Sequence, residues 1–287
     1  MQSLADIVKP EIDRVEDVAI REALLQSYEK SAPTLKSIQE SLREILETVW
    51  PEDSLCLFFK NWRNPAVGAG SFCALTCRLL EAALGERLPS RQQQLFMSAA
   101  RLAEVSYEDM GLMGKNHGEL YEEMATNFCG HDNWRLDRYR LEEATQYLTA
   151  CREYRERGGD LVEALMISLA EELYNHGEFT FVAPLFKKFH DASHAAGSGS
   201  RQENMRFVLE HIGGTESGHF SYMVEGLELY CEASGQPVDA TRLARRNCEF
   251  LQGMDSMFRH LLEEMRGSAQ AGKDVSRLQS DTPVSAL

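Results

Sequence analysis

The amino-acid sequence predicts an all-α protein: a single helical bundle domain preceded by a helical extension. Three observations carry this reading. Apolar residues recur at three- and four-residue spacing along almost the whole chain. Glycine, proline and capping residues fall mainly between those periodic runs. No segment alternates convincingly as a strand does, and only "FTFV" at 179–182 has local strand character, inside helical surroundings.

The elements follow in order. "VEDVAIREALLQSYEK" and "TLKSIQESLREILETVW" predict two amphipathic helices separated at Pro33, with Thr34 as the cap of the second. "GSFCALTCRLLEAALGE" is apolar nearly all round, which predicts a central helix that packs near any site and buries Phe72, Leu75 and Leu79. Cys73 and Cys77 share one of its faces and read as buried packing. "SRQQQLFMSAARLAEVSYEDMG" predicts a helix capped by Ser90, followed by "HGELYEEMATNFCG" and "RYRLEEATQYLTACREYRER". A long pattern starts near Asp160, with a bend expected at Gly177 and a disturbance at Pro184. Ser200 opens the next helix, with "EHIGGTESGH" in its middle, and Asp239 caps the last. The expected organisation is an N-terminal helical extension at 1–64 packed on the core, a helical domain at 65–266 and a disordered tail at 267–287, where aromatics disappear.

Bulk chemistry excludes several function classes. The formal charge of −15 over 287 residues, with no basic run, argues against nucleic acid and acidic membrane surfaces as partners. No apolar stretch approaches the ~20 residues of a membrane span, and the first residues lack the pattern of a signal peptide. Seven cysteines are scattered without a CxxC pair, which fits reduced thiols and a cytoplasmic location. The expected partner is a small-molecule substrate, and the sequence leaves a homodimer open.

The segment "EHIGGTESGH" carries the chemistry. Glu216 and His219 are three apart and share a helix face. An inward ExxH pair is a recurring way for a bundle to hold iron or manganese. His211 precedes Glu216 by five, which in a regular helix turns it roughly 140° away. One π-bulge residue would return all three to a common face, and Gly213 and Gly214 offer the least steric resistance to it. A bulge at 213–215 is therefore expected; close helix packing at the glycines is the competing explanation. Further donors occur in two other helices. The helix at 90–111 has Glu104, Glu108 and Asp109 beside apolar residues, and His117 follows a glycine-broken turn. "LAEELYNHGEFTF" offers Glu171, Glu172, His176 and Glu178, with Glu171 and Glu178 two turns apart on an apolar face.

The order of an acidic helix, "LAEELYNHGEFTFVAPLFKKF" and "EHIGGTESGHF" resembles the iron-dependent oxidases and oxygenases of the heme-oxygenase-like fold. The resemblance spans about residues 65 to 265. It implies a seven-helix core whose dimetal site is built from three helices. The last metal helix of that family has a histidine, an acid four residues on and a histidine three further. Here the matching residues are His211, Glu216 and His219, with the first gap one residue longer. Carried over to the earlier helices, the resemblance implies Glu108, His117 and Glu178 as the other ligands, with Glu104, Glu172 and His176 as substitutes. It further implies two iron ions, with manganese as a replacement, and O2 as co-substrate. The substrate would be small, with amine, amino-acid or fatty-acid character. The outcome would be N-oxygenation, oxidative C–C cleavage or desaturation. No catalytic residue is expected beyond the ligands, and Phe179, Phe181, Phe186, Phe220 and Tyr222 are candidates to line a pocket. Two rival classes remain: a metal-free helical enzyme of the thiaminase-like or cofactor-synthase-like type, and a non-enzymatic helical interaction protein. No Walker loop, GxGxxG or GxSxG is present.

Overall fold

Periodic apolar residues fold the chain into helices throughout, and the described residues contain no strand. The computed structural model describes residues 2–62, 68–112, 114–193 and 200–280. In order, the helices are α1 (Leu4–Asp13), α2 (Val18–Lys30), α3 (Ala32–Glu47), α4 (Glu52–Trp62), α5 (Ala69–Gly85), α6 (Pro89–Asp109) and α7 (His117–Cys129). After two short 3-10 turns come α8 (Glu142–Arg157), α9 (Leu161–Ser193), α10 (Arg201–Asn204), α11 (Arg206–Glu210), α12 (Gly214–Ser234) and α13 (Ala240–Ser280).

The bundle is organised around α9. From Glu163 to Val182 its residues are buried apart from Asn175 and Thr180, which are half-buried. A helix hydrophobic on every side must be enclosed by its neighbours, and α1, α3, α5, α8, α12 and α13 all pack on it. The helix runs through Gly177 and Pro184 without interruption. The expected disturbance is absent because the residues around Pro184 are anchored. Phe181, Val182, Leu185 and Phe186 are fully buried, and burying each is worth ~1.5–3 kcal/mol. Together they outweigh the ~3 kcal/mol cost of an interior proline. "FTFV" is helical for the same reason.

Helix starts follow backbone chemistry more closely than the capping residues first suggest. Helix α6 begins at Pro89 with Leu88 before it, so Ser90 lies inside. Helix α3 begins at Ala32 after Ser31, and Thr34 is likewise interior. Proline supplies the helix-compatible φ at both starts and lacks the N–H that a cap would satisfy. Ser200 does close a capping box with Glu203, and Asp239 accepts from the Arg242 backbone N–H at 2.9 Å.

The first 62 residues do not sit apart from the rest. Leu4, Ile20, Leu35 and Trp62 belong to the same continuous core as Leu169, Phe220 and Leu261. Helix α13 packs on α2, α3 and α4, and α1 lies on α9. Helix α13 also continues to Ser280, past the boundary expected at 266. Residues 267–280 have no proline, and a packed helix extends at little cost once nucleated. Residues 281–287 of the expected tail lie outside the described residues.

Helix α5 buries Phe72, Leu75 and Leu79 as expected. Its opposite face is open: Cys77 is exposed and Cys73 half-buried, so neither is a core residue. Helix α12 meets α6 closely at Gly226, whose carbonyl accepts from Ser98 Oγ at 2.7 Å. A Cβ at Gly226 would lie 2.7 Å from Leu102 Cδ1. Gly226→Val should therefore lower stability by ~1–3 kcal/mol through overpacking, although valine is the better helix former. Thermal unfolding checks this, and an unchanged or higher Tm would contradict the close approach.

Candidate metal centre

Five helices converge on one point, three of them through their ends. Helix α6 supplies Glu108 and Asp109 from its last turn, and α7 supplies His117 from its first residue. Helix α9 supplies Glu172, α12 supplies Glu216 and His219, and His211 sits on the C-terminal end of α11. A void among Asp109, Glu172, His211, Glu216 and His219 also touches Phe72, Asn175 and Phe179. It offers about 10 Å³ to the centre of a water-sized sphere, room for about one water or ion.

The histidines arrive by a route different from the expected one. No π-bulge occurs. The helix breaks: α11 ends at Glu210, His211 and Ile212 form a turn, and Gly213 takes φ 84° and ψ −128° before α12 starts at Gly214. Non-glycine residues avoid that backbone region. The break re-aims His211 toward Glu216 without any bulge, which answers the longer spacing. Of the two glycines, only Gly213 is needed for its conformation; Gly214 is helical.

The contacts divide into two halves joined by Glu216. In the first half, His219 Nε2 lies 2.8 Å from Glu108 Oε2, and its Nδ1 lies 3.4 Å from Glu172 Oε2 and 4.0 Å from Glu216 Oε2. Ligand atoms of Glu172, Glu216 and His219 all fall within 4.8 Å of one another. In the second half, His117 Nδ1 meets Asp109 Oδ1 at 2.9 Å. The His117 and His211 rings stand 4.1 Å apart, and His211 Nε2 faces Glu216 Oε1 at 3.8 Å. The His211 Nδ1 lies 2.6 Å from the Phe207 carbonyl. A carbonyl only accepts, so Nδ1 carries the proton and Nε2 presents a lone pair to the void.

The electrostatics are those of an acid cluster short of positive charge. Burial, and then repulsion from Glu172, raises Glu216 well above the carboxylate range. Burial raises Glu172 as well. Burial pushes His219 toward neutrality, but bonds to Glu108 and Glu172 and the charge of Glu216 prevail and hold it up to about 12. Its hydrogen bond in turn lowers Glu108. Burial, reinforced by His117, keeps His211 well below its usual range, as a neutral imidazole. Glu216 Oε2 is buried with no hydrogen-bond partner. An unpartnered buried carboxylate oxygen costs several kcal/mol unless something compensates it. A divalent cation fits the gap: mixed carboxylate and neutral imidazole donors suit iron or manganese, and the proton on His219 would leave as the metal enters.

The remaining sequence candidates lie elsewhere. Glu178 is buried but is not among the void-lining residues; its Oε1 accepts from Trp62 Nε1 at 2.7 Å. Glu172 occupies the void in its place. Glu104 is exposed. His176 is buried on a different face, near Glu11 and Arg14, with Nδ1 unpartnered. Of the aromatic candidates, Phe179 lines the void, while Phe181 and Phe186 are plain core. Asp109 was visible among the acids of its helix but carried no signal that favoured it. Gly111 at φ 76° turns the chain so tightly that a Cβ there would meet Asn116 N at 2.4 Å. That turn brings α7 back over Asp109. Arg155 also escaped sequence reasoning. Its buried guanidinium bonds Glu171 at 2.5 Å and Ser71 at 3.0 Å and lies over the Phe72 ring.

Comparison with solved structures supports the fold. A TenA homolog from Pseudomonas syringae pv. tomato matches with TM-score 0.57 at 12% identity, covering 83% of this chain and 91% of that one. A CADD-like protein of unknown function from Nostoc punctiforme matches with TM-score 0.53 at 15% identity, covering 92% and 95%. The chain therefore shares an all-α helical fold with these two proteins. No family model and no curated protein matches the sequence. No helix among the described residues is long and apolar enough to cross a membrane.

Two outcomes follow from this geometry. Gly213→Ala should cost ~1–3 kcal/mol, because alanine is strained at that φ, whereas Gly214→Ala should be neutral or stabilising; chemical denaturation separates them. Burial, offset in part by the bond from Trp62, pushes Glu178 up to about 7. Its folded state thus prefers the protonated form. The penalty for ionising it is absent below the unfolded value near 4.5, grows as pH rises, and is complete above 7. Glu178→Gln should gain on wild type by on the order of 3 kcal/mol between pH 4 and 8. A difference independent of pH would refute this.

Proposed function

We propose that the chain is a non-heme di-iron oxidase or oxygenase acting with O2 on a small organic substrate. The observation that carries this is the placement of Glu216, whose buried carboxylate lies between His211 and His219 with one oxygen unpartnered. Glu108, Glu172, Glu216 and His219 would hold one ion. Asp109, His117 and His211 are the donors left for a second ion, which would need the Asp109–His117 contact to part, since the void of about 10 Å³ has room for one. The iron pair would supply the electrons for reducing O2.

The chain's own residues would set the environment. Phe72 and Phe179 wall the void and keep bulk water out, which strengthens every charge interaction inside. The Phe207 carbonyl fixes the His211 tautomer. His219 would give up its proton as metal is loaded, and half-exposed Glu108 beside it marks the way out to solvent. Among the described residues, the lining of the void has no serine, threonine or cysteine, so it offers no hydroxyl or thiol nucleophile for a metal-free mechanism. Substrates of amine, amino-acid or fatty-acid character rest on the resemblance seen in the sequence.

Anaerobic Fe(II) titration tests the reading. Wild type should bind two ions per chain and show an absorbance change on exposure to O2. His219→Ala should lose most of both, because a directed ligand bond disappears and the acids are left poorly neutralised. Asp109→Asn should weaken one ion selectively. Binding no greater than adventitious iron in wild type, or full binding and O2 uptake in His219→Ala, would overturn the assignment.

A further inference from the structure

We infer that the outer face of the α5–α6 hairpin is a homodimer interface, in which the hairpins of two copies form a four-helix layer. Twelve large apolar side chains stand out as exposed among the described residues, and eight of them lie between Leu80 and Leu112. They are not scattered along the helices. On α6, Phe96, Ala100, Ala103, Tyr107 and Met110 follow one another at spacings of four, three, four and three. On α5, Cys73, Cys77, Leu80 and Leu84 repeat the same pattern. That is the seam spacing of helices that pack nearly parallel or antiparallel to a partner helix.

The two seams adjoin. Helices α5 and α6 pack along each other as an antiparallel pair, Cys73 Sγ lies 3.7 Å from Met110 Sδ, and Gln92 Nε2 donates to the Ala83 carbonyl at 3.0 Å. The result is one continuous apolar strip, with Leu84 at 73% and Leu88 at 52% exposure near its turn. Taken at ~200 Å² for a large side chain, the exposed fractions leave on the order of 700 Å². A standard interface buries about 800 Å² per partner, so the strip alone is close to the need of a stable dimer. Monomeric surfaces seldom leave so large an apolar patch open.

Charge selects a second copy as the occupant. The whole chain carries −15, so two copies repel over most of their surface. Between Gly68 and Leu112, however, Arg78, Arg87, Arg91 and Arg101 nearly offset Glu81, Glu86, Glu104, Glu108 and Asp109, a local balance of −1. The apolar strip thus lies where two acidic chains can meet with little repulsion. A two-fold axis across the hairpin would bring the same strip of each copy together, which an isologous interface requires.

Sedimentation velocity and light scattering on the full chain test this. Wild type should run at twice its 32.5 kDa, and Leu84→Glu and Phe96→Glu should each weaken the dimer by roughly tenfold or more. Val49→Glu, at a site 77% exposed on another face, should leave it intact. Thiol labelling gives a readout in unmutated protein: Cys77 should react more slowly as protein concentration rises. A monomeric wild type, a dimer unaffected by both substitutions, or Cys77 labelling independent of concentration would overturn the inference. Far-UV circular dichroism establishes that the variants fold.

Discussion

Burying several carboxylates at one point is the constraint on which the rest of this structure depends. Glu172 and Glu216 sit in a dry interior where charge is costly. The surrounding packing keeps them together nevertheless. Helix α9 is enclosed on all sides and cannot rotate Glu172 outward. Helix α12 is held to α6 through Gly226 and Ser98, two turns from His219. Beneath the void, Arg155 ties α8 to Glu171 and Ser71, placing a permanent positive charge beside the acid-bearing stretch of α9. Arg78 then binds the carbonyls of Tyr154, Arg155, Gly158 and Gly159, which fixes the end of α8. The fold thus holds the acids in place from outside the cluster, as a preorganised site requires.

The N-terminal helices take part in the same task. Trp62, the last residue of α4, donates to Glu178 and stacks at 5.1 Å on Phe186. Around it Tyr121, Phe179 and Phe207 form an aromatic layer that continues to His211, whose ring lies 4.4 Å from Phe207. Removing the first four helices would therefore expose the wall behind the histidines. This explains why one core runs from Leu4 to Met265.

Much of this was legible in the sequence, because helix periodicity and the ExxH pair are local signals. Glu216 and His219 share a face by arithmetic alone, and the glycines beside them marked a distortion. What the sequence hid depends on tertiary context. On α9 nearly every face is buried, so apolar company could not separate Glu172 from Glu178; only the direction of the neighbouring helices does. Asp109 is brought to His117 by a turn at Gly111, and no spacing rule describes a turn. The outward face of α5 misled for a related reason. An apolar residue at a seam looks the same whether the partner helix belongs to its own chain or to another.

The two halves of the centre are built from different mechanical parts. Glu172 and His219 lie inside long helices, where backbone hydrogen bonds on both sides fix their positions, and of that half only Glu108 stands at a C-terminal helix end. Asp109, His117 and His211 stand at helix ends: the last turn of α6, the first residue of α7 and the C-terminal cap of α11. Helix ends have fewer backbone restraints and open more readily than helix interiors. Glu216 links the halves from the first turn of α12, where the helix dipole favours a carboxylate. Its position depends on the break at Gly213, so the glycine that shapes His211 also sets Glu216. On the proposed reading, the two ions would occupy frames of unequal stiffness coupled through one residue. The carboxylate-rich half would define the site, and the histidine-rich half would close around it.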